Sequence, residues 1–133
     1  MRYTMHTDGG ARGNPGPAGI GVVIVDENKK VAKTVSEYIG TATNNQAEYQ
    51  ALIRGLEEVQ KLGARFVDII MDSELIVKQL QGEYKVKNKD LASLFVKAWN
   101  MLSALENYSV KHTQRERNKE ADRLVNEALD VRR

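Results

Sequence analysis

The chain has 133 residues, the size of one domain, and its 41% hydrophobic content is enough for a real core. It contains no cysteine, which excludes disulfides and thiolate metal sites, and it has no apolar run near the roughly 20 residues of a membrane span. Twenty Lys and Arg against eighteen Asp and Glu leave a formal charge of +2, too small to argue for a polyanionic partner by itself, so the distribution of charge matters more than its sum.

The opening "MRYTMHTD" lacks the long apolar core of a secretion signal, so a cytoplasmic location is expected, as is a monomer. "RYTMHTD" alternates as a strand does. "AGIGVVIVD" is a mostly apolar strand ended by the turn "ENKK", and "VAKTVSEYI" alternates again, so residues 1 to 39 read as an antiparallel three-stranded meander. The period then changes. Ala47, Ala51, Leu52, Leu56, Val59 and Leu62 recur at helical spacing, Thr43 and Gln46 form a capping-box signal, and Gly63 is a suitable stop. "RFVDIIMD" reads as a strand, "SELIVKQL" as a short helix, and "QGEYKVKNKD" as a polar, lysine-rich loop. "LASLFVKAWNMLSAL" is an apolar helix, "YSVKHT" a fifth strand, and "NKEADRLVNEALDV" a last amphipathic helix. The fold class is α/β, a five-stranded mixed sheet in the order β-β-β-α-β-α-α-β-α. The first and fourth strands pair in parallel through the long helix, and helices cover both faces. No linker or repeat divides the chain, so residues 1–133 are expected to form a single domain.

The first strand ends at Asp8 and opens into "GGARGNPGPAG". A phosphate-binding P-loop would continue into Gly-Lys-Ser/Thr, and a dinucleotide fold would place a helix next. Here another strand follows, so the loop is a hairpin connection and Asp8 needs another explanation. Asp72 ends the fourth strand, and parallel neighbours would bring both carboxylates out at the same edge, where open α/β sheets bind ligands. Glu48 lies one turn into the first helix near its apolar face, and Asp122 lies between Ala121 and apolar Leu124 in the last helix. Singly, each acid has an ordinary reading, as turn stabiliser, helix cap or dipole partner. Together they would repel unless a cation sat between them. Carboxylates without cysteine or paired histidine suit a hard cation such as Mg²⁺ or Mn²⁺.

The set "TDGGARGNPGPAG", "TNNQAEYQAL", "DSELIVKQL", "YKVKN" and "HTQRERNKEADRL" resembles type 1 ribonuclease H, from Tyr3 to about Leu129. That family cuts the RNA strand of RNA–DNA hybrids. The resemblance implies the ribonuclease H-like fold and a catalytic set of Asp8, Glu48, Asp72 and Asp122, with two ions about 4 Å apart. It implies that Asp8 bridges both ions, that Glu48 and Asp72 help hold the ion that activates water, and that Asp122 holds the ion at the leaving group. The implied products carry 5′-phosphate and 3′-hydroxyl ends. His112, ten residues before Asp122, matches the family's auxiliary histidine. Asn14, Asn44 and Asn45 match positions that contact 2′-hydroxyls, a task amides suit. The Thr43 hydroxyl and the amides at that helix start are candidates for a DNA-strand phosphate. Asn118 reads as a cap of the last helix, a hybrid contact, or both.

Two departures stand out. Some members carry a lysine-rich helix after the short helix that follows the third acid; here only "QGEYKVKNKD" remains. Lys85, Lys87 and Lys89 would share one side of a strand-like loop and could follow a phosphate backbone. Glu74 stands where some members have glutamine. Trp99, at helical spacing with Phe95 and Leu102, reads as core. Two alternatives share the fold: a non-catalytic hybrid-binding module, and a nuclease of transposition or junction resolution. Retention of all four acids argues against the first, and motif order and "NNQAE" against the second.

Overall fold

The computed structural model describes residues 1 to 132. Three strands, β1 (Arg2–Ala11), β2 (Gly16–Val25) and β3 (Val31–Ala42), form the meander, and α1 (Asn44–Lys61) leads to β4 (Phe66–Met71). Then come α2 (Glu74–Leu80), α3 (Lys89–Ser103), β5 (Asn107–His112), a short 3₁₀ turn at Arg115–Arg117, and α4 (Lys119–Val131). The sheet order is β3-β2-β1-β4-β5, with β4 parallel to both β1 and β5 and the meander antiparallel. This is the expected element order. Among the described residues, no helix is long and apolar enough to cross a membrane.

Local sequence explains the element ends. Thr43 and Gln46 form the capping box: the Gln46 N–H donates to Thr43 Oγ1 at 3.1 Å and the Thr43 N–H to Gln46 Oε1 at 2.9 Å. Gly63 follows α1 with φ of 73°, a conformation that costs a glycine little. Ser73, not Asp72, caps α2 by accepting from the Ile76 N–H, which leaves the Asp72 carboxylate uncommitted to the helix. Asn88 accepts from the Asp90 and Leu91 N–H groups, so α3 starts two residues before the expected Leu91 and takes Lys89 out of the loop.

The core lies between the sheet and α1, α2 and α3. Met5, Ile24, Leu52, Ile69, Ile76 and Leu102 are fully buried there, each contributing roughly 1.5–3 kcal/mol by leaving water. The other face carries α4, whose Ala121, Leu124, Val125, Ala128 and Leu129 are buried. Trp99 departs from the expectation of core: it is 41% exposed, its ring stacked on Phe95 at 5.8 Å, because Ala98 and Leu102 take the inward face of α3.

Two glycines set the distance between layers. A Cβ on Gly9 would lie 2.3 Å from the main chain of Ala47 in α1. A Cβ on Gly21, the β2 partner of Asp8, would lie 2.2 Å from the Ala121 carbonyl oxygen in α4. Gly9 thus lets a helix backbone sit directly on the strand. Gly10 is different, since a Cβ there would meet only Val125 at 3.8 Å. Gly9→Ala should cost about 1–3 kcal/mol or more through overpacking against fixed backbone, and Gly10→Ala little; urea unfolding of the two variants tests the contrast.

Candidate active site

The parallel ladder between β1 and β4 ends with Thr7 opposite Met71. The next residues, Asp8 and Asp72, therefore leave adjacent strands at the same edge. Asp8 does not end β1, as expected from sequence, because pairing with β2 continues through Ala11↔Ala18. The strand loses β4 at Asp8 but keeps β2, and this holds the carboxylate on an ordered backbone. From α1, one turn past the Thr43 cap and directly over Gly9, comes Glu48. One oxygen from each of Asp8, Glu48 and Asp72 lies within 4.8 Å of the others.

Burial gives this cluster its electrostatic character. Asp8 and Glu48 are 7% and 5% exposed. Glu48 Oε1 accepts from the Gly9 N–H at 2.5 Å, and Glu48 Oε2 is buried with no hydrogen-bond partner among the described residues. Burial pushes the Asp8 carboxyl up to about 7, with hydrogen bonding to Glu48 drawing it down and the charges of Asp72 and Asp122 adding to the rise. Burial, and next the Asp8 charge, raise Glu48 well above the usual carboxylate range. Burial also raises Asp72, opposed by Asn118 and by the Arg115 guanidinium. An all-carboxylate set with an orphaned buried oxygen fits a hard divalent cation, which would replace the missing positive charge.

Asp122 stands at the rim of this cluster, one helical turn into α4. It lines the same cleft of about 480 Å³ as Asp8, Glu48 and Asp72, and its Oδ1 faces Arg115 Nη2 at 3.4 Å. Sequence reasoning gave Arg115 no role at the acids; its place in the 3₁₀ turn before α4 brings it there. Asn44 and Asn45 also line the cleft. Asn44 Oδ1 accepts from the Ala11 N–H and Asn14 Oδ1 from the Asn44 N–H, at 2.8 and 3.0 Å, so these amides stitch the hairpin loop to the start of α1. The Thr43 hydroxyl oxygen accepts the cap bond from the Gln46 N–H.

Other expected site residues lie apart. His112 is exposed at the end of β5, opposite Met71 in register, and is not part of the cleft wall. Lys85 and Lys87 are exposed in irregular chain and Lys89 is on α3, so the three do not share one side of a strand. The Asn88 cap breaks that alternation. Asn118 is 2% exposed and makes no side-chain cap bond, so its side chain does not cap α4 as expected.

A family model described as reverse transcriptase-like matches residues 6–128. The chain is 41% identical over 129 residues to Ribonuclease HI of Halobacterium salinarum, covering 97% of this chain and 65% of that protein. This chain belongs to the ribonuclease H family. It is also 44% identical over 132 residues to a bifunctional protein of Mycobacterium tuberculosis, covering 98% of this chain and 36% of that one, so it spans about a third of the mycobacterial relative and just under two thirds of the halobacterial one. Crystal coordinates of the halobacterial ribonuclease H1 superpose with a TM-score of 0.96 at 40% identity, covering 98% of this chain and 99% of that one. LC11-RNase H1, isolated from compost and solved in complex with an RNA/DNA hybrid, superposes at 0.93 and 50% identity over 98% of each chain. The five-stranded sheet with its four helices is the ribonuclease H fold.

The carboxyl shifts have a sign that stability measurements can read. Asp8 binds its proton more tightly folded, near 7, than at its ordinary 3.8, so between these pH values the native state carries more protons than the unfolded chain. Its contribution therefore destabilises the fold increasingly as pH rises from about 4 to about 7, and then levels. In metal-free buffer, Asp8→Asn should be more stable than wild type at pH 7.5 by on the order of 1–3 kcal/mol, with the gap closing toward pH 4. Urea unfolding of both proteins at each pH checks this, and added Mg²⁺ or Mn²⁺ should stabilise only the wild type.

Proposed function

We propose that this chain is a metal-dependent endoribonuclease that hydrolyses the RNA strand of RNA–DNA hybrids, using two divalent ions and leaving 5′-phosphate and 3′-hydroxyl ends. The observation that carries the reading is the convergence of Asp8, Glu48 and Asp72 within 4.8 Å at an open cleft, on the fold of a family with a hybrid-bound member. Asp8, Glu48, Asp72 and Asp122 would hold the ions, with Mg²⁺ the resident metal and Mn²⁺ a substitute. Bound there, such cations supply charge neutralisation of the phosphate, activation of water and stabilisation of the leaving oxygen.

The residues of the chain do the rest. Burial keeps Asp8 and Glu48 poorly solvated and raises their proton affinity, so a cation bound there would compete with protons. The Gly9 N–H fixes Glu48 Oε1 and leaves Oε2 free to act as a ligand. Asn44 and Asn45 stand where donors and acceptors can meet 2′-hydroxyls, the group that separates RNA from DNA. Asn14 orients the start of α1, and the Thr43 hydroxyl offers a donor to the DNA-strand backbone. His112, exposed at the strand end beside β4, serves product release or water orientation from outside the cleft wall. Lys85, Lys87 and Lys89 contribute phosphate contacts without reading sequence.

The decisive assay offers labelled RNA–DNA hybrid, duplex RNA, duplex DNA and single strands, each with Mg²⁺, Mn²⁺ or chelator. Cleavage confined to the RNA of the hybrid, and abolished by chelator, is expected. Asp72→Asn keeps the shape of the side chain but removes a ligand charge, so cleavage should nearly vanish while circular dichroism stays unchanged; near-normal cleavage in Mg²⁺ by this variant sinks the assignment. For the lysines, replacing Lys85 and Lys87 by Ala should flatten the slope of log affinity against log salt by roughly one unit per lost contact, measured with Ca²⁺ in place of Mg²⁺. Turnover at saturating hybrid should be unaffected.

A further inference from the structure

Asn118 occupies the N-cap position of α4 without capping it. An asparagine there ordinarily accepts from an N–H of the first turn. Here the side chain turns inward instead: Nδ2 donates to the Thr7 carbonyl oxygen at 2.9 Å, and Oδ1 is buried without a hydrogen-bond partner among the described residues. Thr7 precedes Asp8 and forms the last rung between β1 and β4. The main chain of Asn118 extends the connection. Its carbonyl accepts from the Asp122 N–H at 3.1 Å, and its N–H donates to the Arg115 carbonyl at 3.0 Å. Thr7 also stands opposite Met71 in the parallel ladder, and Asp72 is the next residue after Met71. One residue thus ties the strand bearing Asp8, by its side chain, to the turn that carries Asp122, by its main chain.

We propose that Asn118 is a positioning residue that sets the distance of Asp122 from Asp8, and through the last β1–β4 rung from Asp72, by clamping the first turn of α4 to β1, without contacting substrate. This rests on the assignment of those acids as metal ligands. Helix stability alone does not account for the arrangement, because the first turn of α4 forgoes the cap that the same side chain would otherwise make. Ser36 Oγ of β3 donates to the Leu124 carbonyl at 2.7 Å, a second bond from the sheet to α4 that involves none of the acids.

The test compares wild type with Asn118→Ala, Asn118→Ser and Ser36→Ala. Serine is a favoured cap but too short to span to Thr7, so it restores the helix start while removing the clamp. Thermal unfolding is measured alongside kcat and KM on the hybrid, and Mn²⁺ binding is titrated calorimetrically without nucleic acid. Both Asn118 variants should lose about tenfold or more in kcat and in Mn²⁺ affinity, as is typical when the partner that orients a ligand is removed, with KM changed little. Ser36→Ala should lose stability and keep both. The proposal is overturned if either folded Asn118 variant keeps kcat and Mn²⁺ affinity within about twofold of wild type, since tenfold is the scale of a lost orienting partner. A rise in KM at constant kcat overturns it in favour of a substrate contact, and failure of both variants to fold makes the residue purely structural. A wild type that binds Mn²⁺ but leaves the hybrid intact sinks the proposed function instead, and the Mn²⁺ titration still decides the role of Asn118.

Discussion

The site depends on how closely two helix backbones approach the β1–β2 hairpin. Gly9 admits α1 from one face and Gly21 admits α4 from the other, each at a distance that no Cβ would tolerate. Asp8 lies between them, covalently next to Gly9 and paired across the ladder with Gly21. The first approach delivers Glu48 over the Gly9 amide, and the second brings Asp122 to the rim of the same cleft. Widening either gap by the size of a methyl group would move a carboxylate out of ligand range, so packing and chemistry share one constraint.

The assembled acids are a stored electrostatic cost. Two are almost wholly buried, their neighbours are negative, and the main-chain and side-chain bonds around them offset only part of the repulsion. Arg115 approaches the cluster as an exposed side chain at 3.4 Å from Asp122, where solvent screens it. Such an arrangement is destabilising without a bound cation and is a common way for a protein to prepare a ligand site. The fold bears the cost because the apolar layer under α1, α2 and α3 is extensive and independent of the acids.

Away from the cleft, the surface is less specialised. The segment between α2 and α3 is short and irregular, and its lysines point from two kinds of backbone, so any grip on a nucleic acid there is diffuse. Tighter construction is found at the hairpin loop, where Asn14 Oδ1 accepts from the Asn44 N–H, Asn44 Oδ1 accepts from the Ala11 N–H, and Arg12 pairs with Asp130 of α4 at 2.6 Å. The end of β1 and the loop that follows it are thereby tied to both helices that flank the acids.

Much was legible in the sequence because it is local. Alternation and helical period depend on neighbouring residues, so all five strands and four helices were readable, as was the Thr43–Gln46 capping box. Parallel pairing of the first and fourth strands then followed from chain connectivity, and with it the meeting of Asp8 and Asp72. What sequence could not supply were facts about which atoms share a buried space. Asn118 reads as a helix cap in one dimension and is a clamp in three, since its orientation depends on a carbonyl 111 residues away. Trp99 has core spacing but loses the inward face of α3 to Ala98 and Leu102, and Lys89 leaves its loop because Asn88 caps the helix. Gly9 reads as a turn residue until the α1 backbone is seen on top of it. Sequence determined the elements and the chemical types of the site, because those are set residue by residue. Only the tertiary structure decided distances, burial and proton affinity, because these arise from groups far apart in the chain excluding water from the same place.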